Sequence, residues 1–377
     1  MKVAIAIDSF KGSIGSVDAG NAAADGVRRV IPSAECFVSP LADGGEGLVD
    51  ALAPALGGDV RTVEVTGPTG EKVPARYALV NGETAIVEMS QAAGIVLVPK
   101  ESRNPFATTT FGVGELVVHA AKAGARKFLV GLGGSATNDA GAGMLQALGF
   151  RILDAEGREI GRGGKELLRA AKVECPEETR KMLSGLEFTV ACDVTNPLCG
   201  PSGASAVFGP QKGATPEMVK TLDAALANFA AVSGGDREAP GAGAAGGMGY
   251  ALKTFFGARL VPGVDLVLEA TGFAERVKEA DLVITGEGRL DFQTSMGKAP
   301  AGVAKLALRY GKKTIAICGA EGEGAKAVHD AGIIAYFPVL RKVTTLEEAM
   351  APEAAAENIR STVEEVFRIV GDRVLSP

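Results

Sequence analysis

The sequence predicts an α/β protein of two domains. One is a Rossmann-like parallel sheet built from both chain ends, residues 1–65 and 281–377; the other is an inserted α/β domain with antiparallel hairpins, residues 66–280. Three observations predict it. A chain of 377 residues exceeds what one hydrophobic core usually serves. Apolar strand-like runs alternate with helical periodicity at both ends, the pattern of βαβ units and a parallel sheet. Near residue 59 that pattern gives way to short strands separated by Thr-Gly, Pro-Thr-Gly and Asn-Gly turns, which spell antiparallel hairpins.

In chain order, KVAIAID is a buried strand and SFKGSIGS a glycine-serine turn, after which VDAGNAAADGVRRVI forms a helix with Ser16 as its N-cap. ECFVSPLADGGEG repeats strand and polar turn, and GLVDALAPALG is the helix that follows. The hairpin stretch VRTVEVTGPTGEKVPARYALVNGETAIVEMS precedes a helix, FGVGELVVHAAKAGA, then the strand KFLV and the loop GLGGSATNDAGAG. LEFTVACDV is the next strand. A glycine-rich stretch runs to Gly213, a helix from Pro216 to about Val232, and a second glycine cluster, GAGAAGGMG, precedes a helix near Tyr250. From Asp281 the alternation resumes with strand DLVITGEG, helix GKAPAGVAKLALRYG, strand KKTIAICGA, helix GAKAVHDAG, strand IIAYFPV and a long helical end, TLEEAMAPEAAAENIRSTVEEVFRIV.

Composition removes several function classes. Without tryptophan, and with 5% aromatic residues, little is available for base stacking, and a formal charge of −6 opposes broad phosphate-backbone binding, so no nucleic-acid partner is expected. No apolar run reaches membrane-spanning length and the apolar start breaks at Asp8, so neither a membrane partner nor an export signal is expected. Five cysteines, Cys36, Cys175, Cys192, Cys199 and Cys318, include no C-x-x-C pair and read as reduced thiols of a cytoplasmic protein. The two histidines, His119 and His329, lie in helical patterns, which leaves catalysis to carboxylates, lysines, arginines and backbone.

The loop of residues 131–143 has the composition of a backbone cradle for an anion. It is not the dinucleotide fingerprint, because Ala136 stands where the third glycine should. Nor does the chain hold a P-loop: Gly164-Lys165, Gly297-Lys298 and Gly311-Lys312 are none of them followed by Ser or Thr. Its other reading is a tight strand-to-helix turn capped by Asp139. Further strand ends deliver Asp8, Ser9 and Lys11; Asp43 and Glu46; Asp193 and Asn196; Gln211 and Lys212; and Glu287, Arg289, Asp291, Gln293, Thr294 and Lys298. Any one strand-end aspartate is commonly a turn or cap. Several together, at the edge where open α/β sheets bind ligands, point to a site. Carboxylates for Mg²⁺, cations for phosphate and glycine loops suit phosphoryl transfer, which has no need of histidine.

The stretches DSFKGS, PLADGGEG, GLGGSATNDAGAG, ACDVTNPLCGPSGASAVFGPQKGA, GAGAAGGMG and VITGEGRLDFQTSMGKAPAGVA resemble the type 1 glycerate kinase family, in the same order and over nearly the whole chain. The resemblance implies ATP-dependent phosphorylation of D-glycerate with Mg²⁺ in the cytoplasm, to 2-phosphoglycerate, with 3-phosphoglycerate the competing product. Two departures, Leu48 where many relatives carry Thr and Gly15 where a bulkier residue is common, touch no charged candidate. With that resemblance, Asp193 is expected as the base, with Lys11 and Arg289 beside it in the catalytic set. Gly133, Gly134, Ser135, Thr137 and Asn138 are expected on the nucleotide phosphates; Asp8, Ser9, Asp43 and Lys298 on glycerate; Glu287 and Asp291 on the metal. GAGAAGGMG either lines the nucleotide pocket or marks a close crossing of helix and strand, and the crossing is preferred. Two alternatives come from other classes. An NAD-dependent hydroxy-acid dehydrogenase would want G-x-G-x-x-G after the first strand and a histidine near a substrate turn. A non-enzymatic hydroxy-acid-binding protein would not need so many carboxylates. Oligomeric state is not indicated.

Overall fold

The structure, a computed structural model, describes residues 1–42, 45 and 47–373, the last three by backbone alone. Its strands are β1 (Lys2–Ile7), β2 (Glu35–Val38), β3 (Asp59–Thr66), β4 (Lys72–Val80), β5 (Thr84–Glu88) and β6 (Lys127–Gly131). There follow β7 (Arg151–Leu153), β8 (Lys172–Glu174), β9 (Glu187–Ala191), β10 (Arg259–Val261), β11 (Leu282–Leu290), β12 (Thr314–Glu321) and β13 (Ile333–Pro338). The chain packs as two compact units, Met1–Asp43 with Val267–Pro377, and Gly44–Leu266. No helix among the described residues is long and apolar enough to cross a membrane.

The first unit holds a parallel sheet in the order β13-β12-β11-β1-β2. Alternation along the strands sorts the side chains to two faces. Val3, Ile5, Ile7, Ile284 and Ile317 meet Val27, Ile359, Val363 and Phe367 of the helices Ser16–Val30 and Pro352–Arg373. Ala316 and Cys318 pack with Leu290, Ala304 and Val328. Each fully buried Ile or Val contributes roughly 1.5–3 kcal/mol. The strand order reverses at β1, with β2 on one side and β11 on the other. Such a switch point opens a crevice at the carboxyl ends of its two strands.

The second unit holds a six-stranded sheet, β10-β9-β6-β5-β4-β3, in which β3, β4 and β5 are antiparallel and β5, β6, β9 and β10 parallel. The strands β7 and β8 form a separate hairpin. The largely aliphatic core of this unit includes an aromatic group: Phe128 stacks on Phe188 with centroids 4.9 Å apart, and Tyr250 is buried with its hydroxyl bonded to Ser233 Oγ at 2.6 Å.

Five local expectations need correction. Residues 47–65, assigned above to the terminal domain, pack with the second unit: β3 pairs with β4 from Asp59↔Leu79 to Thr66↔Lys72, and Glu88 accepts Val49 N at the start of the helix Leu48–Leu56. At the other junction, residues 267–280 pack with the first unit and not the second. Ser16 is no N-cap. Gly15 holds that position, and Ser16 Oγ instead donates to Ile7 O at 2.6 Å and accepts Leu41 N at 2.7 Å, tying the end of β1 to the segment after β2. The terminal helical stretch breaks into Leu346–Met350 and Pro352–Arg373, because Pro352 pushes Ala351 out of the helical region to ψ 129°, and residues 325–329 form a 3₁₀ turn.

Candidate functional site

The first unit carries a cavity of about 590 Å³ at the carboxyl ends of its strands. One wall is charged: Asp8 and Lys11 follow β1, Glu287 and Arg289 lie near the end of β11, and Asp291 and Lys298 stand beyond it. Apolar side chains, Phe10, Val339, Leu340, Leu346 and Met350, make up another part of the lining. Parallel pairing of Ile7 with Gly286 sets Asp8 beside Glu287, since Asp8 N donates to Gly286 O at 2.8 Å.

Glu287 is the buried acid of this wall, 8% exposed, and accepts the Thr294 hydroxyl at 2.5 Å. Burial raises its pKa above the ordinary carboxylate value. Thr294 and Lys298 act against the rise, while the like charges of Asp8 and Asp291 add to it. Such a carboxylate gains from a cation. Asp291 is more committed: it caps the helix Phe292–Ser295, accepting Gln293 N at 2.9 Å in a capping box with Thr294, and lies 3.7 Å from Lys298 Nζ. Among the described residues no three His, Cys, Asp or Glu side chains gather as a metal cage. A Mg²⁺ ion held by one or two carboxylates plus substrate phosphates needs no such cage, so Glu287 with Asp8 or Asp291 fits it.

The second unit presents its loop at the carboxyl end of β6. Residues 132–140 are pinned on every side: Ile95 N donates to Gly134 O at 2.7 Å, Ala136 N to Ala93 O at 2.8 Å, and Thr108 Oγ1 to Ala136 O at 2.9 Å. Gly133 has no substitute, because a Cβ there would stand 2.3 Å from Gly45 Cα. Asp139, fully buried, accepts Thr110 N, Thr110 Oγ1, Gly141 N and Gly143 N. It is the cap of this turn. Burial raises its pKa, against those hydrogen bonds. The cluster GAGAAGGMG crosses the same loop backbone to backbone, with Gly246 placed where a Cβ would meet Thr137 O at 2.0 Å. Ala140 and Ala245 both hold left-handed φ, 50° and 53°. Non-glycine residues keep such angles only where their surroundings impose them.

Under this loop lies Lys212, 2% exposed, with Nζ donating to Ser135 Oγ at 2.8 Å and Thr137 O at 2.6 Å. Burial lowers its pKa to about 7, partly opposed by the charge of Asp139. With Ile95, Leu132, Gly134, Ser135, Val194, Phe208, Gln211 and Ala245 it lines a cavity of about 280 Å³. Lys212 is one of the charged residues that the sequence delivers into glycine turns, with no role assigned to it; Pro210 and Gly213 around it are a surface-turn signal, and nothing in the local sequence betrays the burial.

The expected site residues therefore fall into two groups. Asp8, Ser9, Lys11, Glu287, Arg289, Asp291 and Lys298 line the first unit's cavity. In the second unit Gly134 and Ser135 line the smaller one, whereas Thr137 and Asn138 are wholly buried, with Thr137 Oγ1 and Asn138 Oδ1 unpartnered among the described residues and Asn138 Nδ2 donating to Ser205 Oγ at 2.9 Å. Asp193 is exposed and follows β9; its Oδ1 accepts Gly263 N at 2.8 Å, at the start of the helix Gly263–Ala270. Asp43 and Glu46 lie outside the described residues. The five cysteines are free, and burial pushes the thiols of Cys199 and Cys318 up to about 12. His119 Nδ1 pairs with Tyr77 Oη and His329 Nδ1 with Ile333 O, so both imidazoles are engaged within the fold.

Comparison with known proteins agrees along the whole chain. The profile of the Glycerate kinase family matches residues 3–371. A glycerate kinase of Haemophilus influenzae is 46% identical over 376 residues, covering 98% of this chain and 99% of that one. The glycerate 2-kinase of Escherichia coli K12 is 45% identical over 372 residues, 95% of each chain. A crystal structure from Salmonella typhimurium LT2, provisionally named glycerate kinase 2, superposes with a TM-score of 0.89 at 46% identity over 98% of both chains.

Proposed function

This chain belongs to the glycerate kinase family, and from that premise we propose that it transfers the γ-phosphoryl group of ATP to D-glycerate, giving 2-phosphoglycerate and ADP with Mg²⁺ as the metal. The observation that carries the reading is the first unit's cavity, where two acids at a sheet switch point, Asp8 and Glu287, stand among Lys11, Arg289 and Lys298. Its charged wall suits phosphates and a metal, and its apolar wall a nucleoside base. The dehydrogenase alternative has no counterpart to this wall.

Each residue's part follows from its chemistry. Mg²⁺, when bound, neutralises charge on the nucleotide phosphates. Glu287, with Asp8 or Asp291 as second carboxylate, would hold it, and Asp291 would have to yield its contact with Lys298 to serve. Lys11, Arg289 and Lys298 stabilise the negative charge that gathers on the transferred group and on ADP as the bridging P–O bond breaks. Asp193 accepts the glycerate hydroxyl proton as the new O–P bond forms. Its anchoring to Gly263 N supports that role by fixing the carboxylate at a strand end. ATP and reduced thiols both belong to a cytoplasmic setting.

The test is a coupled assay of purified protein with ATP, Mg²⁺ and D-glycerate, followed by resolution of the products. ADP formation that depends on glycerate and yields 2-phosphoglycerate is expected. Formation of 3-phosphoglycerate would correct the position of attack, and absence of glycerate-dependent ADP would overturn the proposal.

A further inference from the structure

We infer that Lys212 binds the carboxylate of the hydroxy-acid substrate, so that the loop of residues 133–138 serves the acid and not the nucleotide. This inference rests on the glycerate kinase reading. It begins with an imbalance. The Lys212 ammonium is almost wholly buried, and its two hydrogen-bond partners, Ser135 Oγ and Thr137 O, are neutral. Among the described residues no carboxylate lies within ion-pair distance of it; Asp139 acts on it only through space and spends its own oxygens on four hydrogen bonds from the turn. An ammonium in that position is costly unless an opposite charge joins it. A methionine would fill the same volume without that cost. No described carboxylate supplies that opposite charge, and a bound anion would.

The cavity says which anion. At about 280 Å³ it lies just below the size range of pockets that take drug-sized ligands, whereas the first unit's cavity, at about 590 Å³, lies well inside it. A three-carbon acid fits the smaller space, with its carboxylate on the remaining Lys212 Nζ–H and its carbons against Leu132, Val194 and Phe208. Val194 follows Asp193 directly in the chain, so the proposed base lies one residue from the lining of this cavity. The two strained alanines, Ala140 and Ala245, hold the loop and the glycine cluster around this point. This allocation reverses the expectation that these glycines hold nucleotide phosphate and that Asp8, Ser9 and Lys298 hold glycerate.

Calorimetric titration with D-glycerate, alongside steady-state kinetics, tests it in the parent, Lys212→Met and Lys212→Arg. The methionine variant is expected to lose about ten- to a hundred-fold in D-glycerate affinity and to raise the glycerate KM to match, with the ATP KM held within about three-fold. Arginine, with its wider planar head, is expected to rescue only part of this. A second readout needs no variant. At pH 8, titrations in buffers of different ionisation enthalpy should show the parent taking up a proton as glycerate binds. The lysine, lowered to about 7 by burial, is recharged by the carboxylate. Among the described residues the charge that acts on Lys212 is Asp139 on the loop, and on the neighbouring segment Arg103 Nη1 donates to Gln211 O at 3.2 Å. A methionine variant that alters the ATP KM but not the glycerate KM would give the loop to the nucleotide and overturn the inference. So would a variant altering neither, or a parent that binds glycerate without proton uptake. A parent that neither binds nor phosphorylates D-glycerate would remove the kinase reading itself, and the inference with it.

Discussion

The two units handle charge in opposite ways. In the first, Lys11, Arg289 and Lys298 are exposed side chains among carboxylates, and Lys298 is partnered by Asp291 at 3.7 Å. In the second, one lysine is sealed beneath a rigid loop with only neutral partners. Exposed charges cost little, are screened by water and salt, and can move. A group of them suits a ligand that carries several charges and a metal. A buried, pinned charge is expensive and fixed, which suits one anion in one orientation. The proposed allocation, nucleotide to the first unit and acid to the second, accords with that contrast, and the experiments below break it or sharpen it.

The largest effect is expected at the base. Asp193→Asn keeps the size of the side chain and its acceptor for Gly263 N but cannot take a proton. We expect kcat to fall by roughly a hundred- to ten-thousand-fold, about 3 to 5.5 kcal/mol of barrier, with the ATP KM changed by only a few-fold. A folded variant with kcat within about three-fold of the parent would make Asp193 a turn anchor and nothing more.

Next comes stability. Lys212→Met should raise the stability of the ligand-free protein by about 1 to 4 kcal/mol at neutral pH, read by urea unfolding. The pH dependence has a definite sign. The folded pKa is depressed to about 7 from 10.5, so the unfolded chain holds the extra proton between those values. Parent stability therefore falls as pH drops from about 10.5 to 7 and is flat below. The advantage of the variant should be greatest below pH 7 and shrink towards pH 10. Loss of stability at pH 6 would show that the buried ammonium is a satisfied structural element, which would end the contrast between the units.

A smaller change is expected at Glu287. Glu287→Gln keeps the hydrogen bond from Thr294 and removes the charge. The Mg²⁺ concentration for half-maximal rate should rise, and kcat/KM for ATP should fall by about ten- to a hundred-fold, near 1.4 to 2.8 kcal/mol. An unchanged metal requirement, measured by titration after chelation, would take Glu287 out of the metal's reach.

These residues were not equally legible in the sequence. Asp8, Glu287 and Arg289 stood out because a charged residue at the end of an apolar strand breaks its own pattern, and strand ends share an edge whatever the details of packing. Lys212 was legible as a charge in a glycine turn, but its burial was not. Its burial is made by distant segments, the loop of residues 133–139 above all, while its neighbours Pro210 and Gly213 promise a surface turn. The fold divides the same way. Alternation revealed the parallel strands at both ends, but the helix Leu48–Leu56 has the period of a crossover helix whichever sheet it covers, and only the pairing of β3 with β4 assigns it to the second unit. Ser16 has the chemistry of a cap, yet its hydroxyl bridges Ile7 and Leu41, contacts that exist only once the sheet has formed. For Asp291 the spacing Asp-x-x-Thr signals the capping box that the structure forms, and the metal reading asks for the same carboxylate, so the sequence alone does not separate the two.

The smallest expected effect tests the apolar wall of the first cavity. Leu346 and Met350 reach that wall from the one-and-a-half-turn helix Leu346–Met350. So short a helix does not hold itself. Thr345 starts it, with Oγ1 accepting Glu348 N at 3.2 Å, and the Glu348 carboxylate returns to Thr345 N at 3.3 Å. Thr345→Ala removes half of this capping box at a cost of about 1 kcal/mol. The loss is local, because no side chain of the helix is fully buried, so Tm should stay within about 2 °C of the parent. The wall should fray nonetheless. We expect the ATP KM to rise by about two- to five-fold, matching that cost, with kcat and the glycerate KM unchanged. A shift in the glycerate KM instead would put the acid against this wall and reverse the assignment of the two units.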